Sequence, residues 1–460
     1  MNDDALNRAL EKMRADGVAD VAVKTFAHYY ELLRAGETGT LAESEIGPVQ
    51  ELPDADELAD DEADDALART VVIKLNGGLG TSMGMSGPKS LLEVKDGLTF
   101  LDITVQQIRD LRERTGARLP LVLMNSFATR EASLEALADH PELAVDGLDA
   151  DFVQSKVPKL AADDLAPVRW PDDPALEWAP PGHGDLYPSL LSSGMLDALL
   201  EAGYEYAFVA NVDNLGAVMD ERILAWFARE RIPFLMEVAD RTPADRKGGH
   251  LAQRSDGGLV LREVAQTPED DLETFQDIER HRFFNTNTLW VDLRELAAVL
   301  AERDGVLGLP MIVNRKTVDP SDSDSPAVLQ LESAMGAAID VFDGARAIRV
   351  GRERFAPVKT TTDLLALRSD AYELHDDGRI VLAEGRAEAP LVELDPEHYK
   401  LVRDFEERFP AGAPSLVRCE SLTVRGDVRF GAGVEVRGTV TIEHDGESQR
   451  CIDDGTVLEG

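Results

Sequence analysis

The sequence is poor in cysteine and has no long apolar stretch. Its 460 residues include two cysteines, Cys419 and Cys451, which are too few for a disulfide framework or a cysteine-based zinc site. No apolar run approaches the roughly 18 residues of a membrane span, and the first residues, MNDDALNRAL, lack the basic-then-apolar pattern of a signal peptide. These absences predict a soluble, cytoplasmic protein with no membrane partner.

Positive charge is also scarce. The chain has 47 basic and 87 acidic residues, a net charge of −40, which argues against any broad surface for nucleic acid or anionic lipid. Only 11 of the basic residues are lysines, so each compact ammonium group deserves inspection. The 43% of apolar residues is enough for a buried core, and the length suggests two or three domains.

The first part of the chain, residues 1–68, is predicted to be a helical region followed by an acidic linker. In residues 1–36, Val23, Phe26 and Tyr30 recur at helical spacing. The stretch DADELADDEADD (54–65) is so acidic that we expect a solvated linker or an exposed helix face.

The middle part, residues 69–375, has an α/β pattern. It predicts a mixed, largely parallel, Rossmann-like sheet with helices on both faces. The predicted strands are 71–75, 120–126, 205–214, 233–239, 259–265, 288–293 and 346–350. The predicted helices are 127–140, 326–342 and 360–374.

The last part, residues 376–460, carries two interleaved six-residue series. Leu422, Val428, Val434 and Val440 form one, and Val424, Phe430, Val436 and Ile442 form the other. This spacing is typical of hexapeptide β-helices, so we predict a short left-handed β-helix through which the chain could form a homo-oligomer. Ordinary antiparallel strands remain the alternative.

A glycine-rich segment follows the strand at 71–75 and ends in Pro-Lys-Ser: LNGGLGTSMGMSGPKS (75–90). Backbone N–H groups of such a loop can approach a phosphate closely. The segment fits neither familiar template. A dinucleotide fingerprint needs its third glycine one residue earlier than Gly84, and Pro88 interrupts the Gly-Lys-Ser of a Walker A loop.

The segment closely resembles the nucleotide-binding loop of UTP–glucose-1-phosphate uridylyltransferases, also called UDP-glucose pyrophosphorylases. Further segments resemble that family in the same order: FVQSKVP (152–158), WAPPGHGDLYPSLLSSG (178–194), FVANVDNLGA (208–217), ADRKGGHL (244–251), FFNTNTLW (283–290), LQLESAMGAAI (329–339) and RFAPVKTTTDLL (354–365). The resemblance implies a nucleotide-diphospho-sugar transferase domain that makes UDP-glucose and pyrophosphate from UTP and glucose 1-phosphate with Mg²⁺. Thr288 and His250 depart from the family pattern and could alter the sugar pocket.

The implied reaction crowds three negative groups into one site, so catalysis needs positioning and charge neutralisation. Lys89, at the end of the glycine-rich segment, is the expected partner of the triphosphate. Lys359 precedes Thr360, a plausible helix N-cap, so its ammonium and the helix N-terminus could meet one phosphate. Asp213, just past a strand, is the expected Mg²⁺ ligand, with a turn residue as the alternative.

The resemblance also assigns the binding residues. The expected nucleotide contacts are Leu75, Asn76, Gly77, Gly78, Lys89, Gln154, Gly182, Asp213 and Lys359, with the amide of Gln154 suited to the uracil edge. The expected sugar-phosphate contacts are His183, Asn211, Gly249, Glu263, Asn285, Thr286 and Asn287. The turn around His183 is expected to expose its ring, and a simple Asx turn is the alternative for residues 285–287.

Three other functions compete with this one. A UDP-N-acetylhexosamine pyrophosphorylase would share fold and chemistry but need a roomier pocket at the sugar 2-position. A nicotinamide-dependent oxidoreductase is disfavoured by the displaced third glycine. A non-catalytic sugar-nucleotide sensor would be expected to lack Lys89, Lys359 or Asp213, and all three are present.

Overall fold

The computed structural model describes residues 3–61, 63–446 and 448–460. Its helices are α1 (Asp3–Ala15), α2 (Asp20–Arg34), α3 (Asp64–Leu67), α4 (Phe100–Thr115), α5 (Arg130–Leu137), α6 (Leu186–Ser192), α7 (Met195–Glu201), α8 (Glu221–Arg229), α9 (Leu272–Phe275), α10 (Leu293–Glu302), α11 (Thr361–Arg368), α12 (Pro396–Tyr399) and α13 (Val402–Arg408). None of these helices is long and apolar enough to cross a lipid bilayer.

The strands are short except at the centre of the molecule and in the tail. They are β1 (Ile46–Pro48), β2 (Thr70–Asn76), β3 (Glu93–Lys95), β4 (Leu98–Thr99), β5 (Leu121–Asn125), β6 (Asp151–Val153), β7 (Val157–Pro158), β8 (Leu160–Ala161), β9 (Trp178–Ala179), β10 (Tyr206–Asn211), β11 (Phe234–Asp240), β12 (His250–Arg254), β13 (Leu259–Arg262), β14 (Phe283–Asp292), β15 (Met311–Thr317), β16 (Ala327–Ser333), β17 (Arg346–Arg349), β18 (Tyr372–Leu374), β19 (Ile380–Leu382), β20 (Leu391–Leu394), β21 (Ser415–Arg425), β22 (Val428–Phe430), β23 (Glu435–Glu443), β24 (Arg450–Ile452) and β25 (Val457–Glu459).

The central sheet is mixed, in the order β1-β12-β14-β10-β2-β5-β6; in addition, β11 pairs with β14, β17 pairs with β11, and β13 pairs with β12. Strands β10, β2, β5 and β6 run parallel, whereas β14 is antiparallel to β10, β11 and β12. The expectation of a largely parallel sheet is therefore wrong for the half around β14. The parallel half places the C-terminal ends of β2 and β10 side by side, the usual place for a ligand crevice.

Both faces of this sheet are buried, which explains the continuous apolar run in β2. Successive side chains of a strand point to opposite faces. Val71 and Ile73 accordingly join a core cluster with helix α6, whereas Val72 joins a second cluster with helices α4 and α8.

The predicted helix at 326–342 is wrong. Residues Ala327–Ser333 form β16, which pairs along its length with β15, and a single 3₁₀ segment, Met335–Asp340, follows. The apolar residues of this stretch fit helical and strand spacing alike, and a distant strand decides between them. The predicted helix at 360–374 is likewise too long, because it ends at Arg368 and β18 follows.

The N-terminal helices pack on the rest of the chain. Phe26 and Tyr30 of α2 share a cluster with Leu160 and Leu331. The acidic stretch 54–65 is also attached, because Asp54 pairs with Arg349. The prediction of a solvated linker or an exposed helix face is therefore wrong for the Asp54 side chain. Residue 62 of this stretch lies outside the described residues.

The tail stacks strands β20, β21, β23 and β25 in parallel. Leu422 lies opposite Val440, and Val424 lies opposite Ile442, so the register advances by three six-residue units. All four side chains are buried. The antiparallel alternative is therefore wrong for this stack.

Candidate active site

The glycine loop (residues 77–90) leaves the C-terminal end of β2 and folds back on itself. The backbone N–H of Lys89 donates to the carbonyl of Gly78 at 3.0 Å, which closes the loop. Gly80 and Gly84 adopt positive φ angles of 63° and 74°, which glycine tolerates at no steric cost. The loop thus holds Lys89 beside the end of β2.

Gln154 lies directly against the glycine loop. A Cβ atom on Gly77 would fall 3.0 Å from Gln154 Oε1, so a side chain at that position would crowd the amide. Leu75 and Asn211 are neighbours in the parallel register of β2 and β10. The side chain of Asn76 is buried and donates to Asn125 and Ser133, so only its backbone is available to a nucleotide.

Lys89 and Asp213 form an ion pair. Lys89 Nζ lies 2.5 Å from Asp213 Oδ2 and also donates to the carbonyl of Val358. Both side chains are mostly buried, at 14% and 20% exposed. The structure therefore brings Lys89 and Asp213 together and places both beside the residue that precedes Lys359.

Lys359 stands at the start of α11, where Thr360 is the N-cap as predicted. Asp363 accepts hydrogen bonds from the backbone N–H groups of Lys359 and Thr360, both at 2.8 Å. A carboxylate thus already occupies this helix end, which opposes a second anion there. A phosphate at this helix end would meet that carboxylate as well as the Lys359 ammonium, and the sharing of one phosphate by Lys359 and the helix N-terminus stays a prediction.

Gly182 and His183 lie against the end of β16. Gly182 has a φ of 79°, and a Cβ there would fall 2.4 Å from the carbonyl oxygen of Ser333. The Nδ1 of His183 accepts a 3.0 Å hydrogen bond from the Met335 N–H, and burial lowers the pKa of His183 to about 4. The turn therefore leaves the ring partly exposed, and the imidazole is neutral, with Nε2 as its donor.

Gly249 and Glu263 are in contact. A Cβ on Gly249 would lie 2.5 Å from Glu263 Oε2, so a side chain at that position would displace this carboxylate. Burial raises the pKa of Glu263, and the charge of Lys359 opposes that rise. The charge of Lys359, a predicted nucleotide contact, therefore acts on the carboxylate of Glu263, a predicted sugar contact.

Residues 285–287 form a bulge between β14 and β11, where the pairing jumps from Thr288 to Asn285. Asn287 N–H donates to Asn285 Oδ1 at 2.9 Å, so the Asx turn that we weighed as an alternative is present. The Thr286 hydroxyl donates to the backbone carbonyl of Glu237 at 2.8 Å. The Asn285 and Asn287 amides are hydrogen-bonded to each other at 2.9 Å.

Comparisons with known proteins show the family to which this chain belongs. The model of the family "UTP--glucose-1-phosphate uridylyltransferase" matches residues 23–437. The chain belongs to the UTP–glucose-1-phosphate uridylyltransferase family. The family enzyme of Solanum tuberosum is 44% identical over 395 residues, covering 85% of this chain and 80% of that protein. A probable one of Schizosaccharomyces pombe is 41% identical over 398 residues, covering 86% of this chain and 77% of that protein.

Solved structures of the uridylyltransferase family are equally similar. The UDP-glucose pyrophosphorylase of Leishmania major, solved in open and closed forms, superposes with a TM-score of 0.94 at 47% identity, covering 100% of this chain and 99% of that one. The Trypanosoma brucei protein gives a TM-score of 0.91 at 49% identity, covering 99% and 98% of the two chains.

Asp185 was missed by the sequence argument for this uridylyltransferase. Its buried carboxylate accepts from the Ser155 N–H at 2.5 Å and the Ser189 hydroxyl at 2.6 Å. Burial raises the pKa of Asp185 to about 6, which the hydrogen bonds from Ser189 and Ser155 oppose. The carboxylate thereby ties the segment after Gln154 to the segment after His183. The sequence pattern that could have indicated this role is an acidic residue, Asp185, directly before the apolar helix α6.

Two departures from the family pattern have no direct access to a sugar. His250 and Thr288 are both fully buried. The His250 ring stacks on His281 with a centroid distance of 3.9 Å. Any effect on the sugar pocket of this uridylyltransferase is therefore indirect.

Asp213 is the residue that fits a metal ion here. No group of three or more His, Cys, Asp or Glu side chains is arranged for a metal in the described ranges. A site made by one carboxylate and substrate phosphates is nevertheless normal for Mg²⁺. Asp213 Oδ2 already holds a cation, the Lys89 ammonium, so this oxygen suits positive charge.

Proposed function

We propose that this protein transfers a uridylyl group from UTP to glucose 1-phosphate, forming UDP-glucose and pyrophosphate. A phosphate oxygen of the sugar attacks the α-phosphorus, and the bond from that phosphorus to the β-phosphate oxygen breaks as pyrophosphate leaves. The observation that carries the proposal is the meeting of Lys89 and Asp213 beside the Lys359 segment in a member of this family.

Binding of UTP is assigned to the glycine loop and the segments facing it. Gln154 and the backbone of Gly77, Gly78 and Gly182 would read the uracil edge, because an amide both donates and accepts there. Leu75 and the backbone of Asn76 would border the nucleoside. Lys89 would move from Asp213 to the triphosphate and stabilise bound UTP in the ground and transition states alike, an effect that appears in KM rather than in kcat.

Binding of the sugar phosphate is assigned to a second group of residues. His183 would donate from Nε2 to the phosphate as a neutral ring. The sugar hydroxyls would meet Asn211, Gly249, Glu263, Asn285, Thr286 and Asn287. The Thr286 side chain is committed to Glu237, so we assign its role to the backbone.

We also propose that Mg²⁺ binds at Asp213 together with the nucleotide phosphates. When bound, the ion would neutralise phosphate charge and orient the triphosphate. Lys359 would then face the charge that accumulates as pyrophosphate departs, at a position fixed by the residues that precede it.

The tail and the domain limits belong to this proposal. The 18-residue register of the parallel stack supports a short left-handed β-helix, with domains at 1–68, 69–375 and 376–460. Homo-oligomer formation through the tail and the cytoplasmic location stay predictions.

The experiment is pyrophosphate release from UTP with glucose, galactose or N-acetylglucosamine 1-phosphate, with product identity checked by mass. We expect turnover with glucose 1-phosphate. Turnover with N-acetylglucosamine 1-phosphate alone would replace the proposal with the acetylhexosamine enzyme. Binding of UDP-glucose without turnover would indicate a sensor.

A further inference from the structure

A buried ion pair lies among the residues that hold the candidate site. Glu237, in β11, is fully buried. Arg354 donates to both of its carboxylate oxygens, from Nε at 2.8 Å and from Nη2 at 2.7 Å. Trp290 Nε1 donates to the same carboxylate at 2.9 Å. None of these three residues contributes to the reaction as proposed so far.

Arg354 is tied to the aspartate loop, residues 212–218, which carries Asp213. Its Nη2 donates to the carbonyl of Val218 at 2.9 Å. Its own carbonyl accepts from Asn214 Nδ2 at 3.2 Å, and Asn214 Oδ1 accepts from the Ala356 N–H at 2.9 Å. The Arg354 guanidinium therefore binds the aspartate loop at Val218, and the backbone at residues 354–356 binds it at Asn214.

The same segment continues to Lys359. The Val358 N–H donates to the carbonyl of Asp213 at 3.3 Å, and the Val358 carbonyl accepts from Lys89. Hydrogen bonds thus join the two loops from Arg354 to the residue before Lys359. We call these hydrogen bonds between residues 212–218 and residues 354–358 the seam. The position of Lys359 relative to Asp213 depends on it.

Glu237 also reaches the sugar side. Its backbone carbonyl accepts the Thr286 hydroxyl within the bulge at residues 285–287. One residue therefore connects the phosphate segment, through Arg354, with the predicted sugar segment.

We propose that Arg354, held in one orientation by Glu237, is a positioning residue that sets Lys359 relative to Asp213 and Lys89. The inference rests on the proposed uridylyl transfer. Burying two charges is costly and makes the pair a weak source of stability. A bidentate guanidinium–carboxylate contact nevertheless has a defined geometry that lysine cannot reproduce.

The test compares Arg354→Lys, Asn214→Ala and Lys359→Ala, plus the double variant Arg354→Lys/Lys359→Ala. Asn214→Ala opens the seam without leaving a buried charge unpaired, so it serves if Arg354→Lys fails to fold. Arg254→Lys is the matched control, because Arg254 makes a comparable two-bond contact with Asp340. Steady-state kinetics and circular dichroism are measured for every variant.

We expect Arg354→Lys to lower kcat about 10- to 100-fold, the scale of a misplaced catalytic group, with the KM for UTP changed less than ~3-fold. Asn214→Ala should move kcat in the same direction, and Arg254→Lys should not. In the Lys359→Ala background, Arg354→Lys should lower kcat by less than a further ~3-fold, because the group that Arg354 positions is gone.

Three results would overturn the inference. These are an unchanged kcat in folded Arg354→Lys or Asn214→Ala, a rise in KM alone, or the same loss with and without Lys359. A wild-type protein that forms no UDP-glucose would overturn the proposed function and this inference together, whereas an active wild type with any of those three results would overturn only the inference.

Discussion

Lys89 Nζ lies 2.5 Å from Asp213 Oδ2, although 124 residues separate the two in sequence. The expected triphosphate ligand and the expected metal ligand are thus paired with each other. Binding of UTP with Mg²⁺ would exchange these partners, with Lys89 moving to phosphate and Asp213 to the metal ion. Asp213 is therefore best tested through its dependence on Mg²⁺ as well as through turnover.

We predict that EDTA abolishes activity and that Mg²⁺ restores it. Asp213→Asn should lose most turnover while remaining folded, and should need a higher Mg²⁺ concentration for half-maximal rate, because the amide keeps the shape but removes the charge. Mg²⁺ titration of the initial rate measures this. Full activity of Asp213→Asn at ordinary Mg²⁺ would show that Asp213 is only a turn residue.

We predict that Lys359→Ala lowers kcat by ~10²–10⁴, the scale of one preorganised charge-stabilising donor. A contact made mainly in the transition state lowers kcat and kcat/KM together. Lys359→Arg should recover little, because a planar fork does not replace a point charge. Kinetics of both variants, with circular dichroism as the folding control, provide the check; a near-normal kcat in Lys359→Ala would remove this residue from the mechanism.

We predict at least a ~100-fold preference for UTP over ATP, because hydrogen-bonding groups in a base pocket reject the wrong partner strongly. Gln154→Ala should narrow that preference, since its amide lies against Gly77. The ratio of kcat/KM values for the two nucleotides measures it. Comparable values in the wild type would contradict the assignment of the uracil edge.

His183 leads to a prediction about acid stability. Burial lowers its pKa from 6.5 to about 4, so the unfolded chain binds more protons below pH 6.5. Stability from this residue is present above that pH and is lost as pH falls toward 4. At pH 5 the loss is about 2 kcal/mol. His183→Gln, which cannot gain a proton, should therefore lose less stability than the wild type between pH 7 and pH 5.

Urea unfolding at the two pH values gives the comparison. The same ring also bears on catalysis, since a neutral His183 should leave the acid limb of the rate profile unchanged in His183→Gln. An acid limb that shifts in the variant would mean that the imidazole titrates near neutrality.

We predict that Gly249→Ala raises the KM for glucose 1-phosphate about tenfold or more and leaves the KM for UTP nearly unchanged. A methyl group would lie 2.5 Å from the Glu263 carboxylate and displace it. Gly47→Ala is the matched control, because its Cβ would meet nothing within 4 Å. Equal KM values for glucose 1-phosphate in Gly249→Ala and wild type would show that Glu263 does not contribute to the sugar site.

Local patterns predicted several elements correctly because each depends on neighbours in sequence. The apolar run of β2, the glycine loop after it and the N-cap at Thr360 are of this kind. The six-residue series in the tail correctly placed Leu422 and Val440 in one buried column. The segment 326–342 failed because its apolar spacing suits helix and strand equally, and only pairing with β15 selects the strand.

The sequence by itself determined the composition class, the glycine loop and the motif residues, because these are properties of short stretches. Tertiary structure alone decided which polar groups meet. The pairs Lys89–Asp213 and Glu237–Arg354 join segments more than 100 residues apart. The strand order and packing of the whole sheet set such contacts. For the same reason, only the fold shows that His183 Nδ1 accepts from the Met335 N–H and that Asp363 accepts from the N–H groups of Lys359 and Thr360.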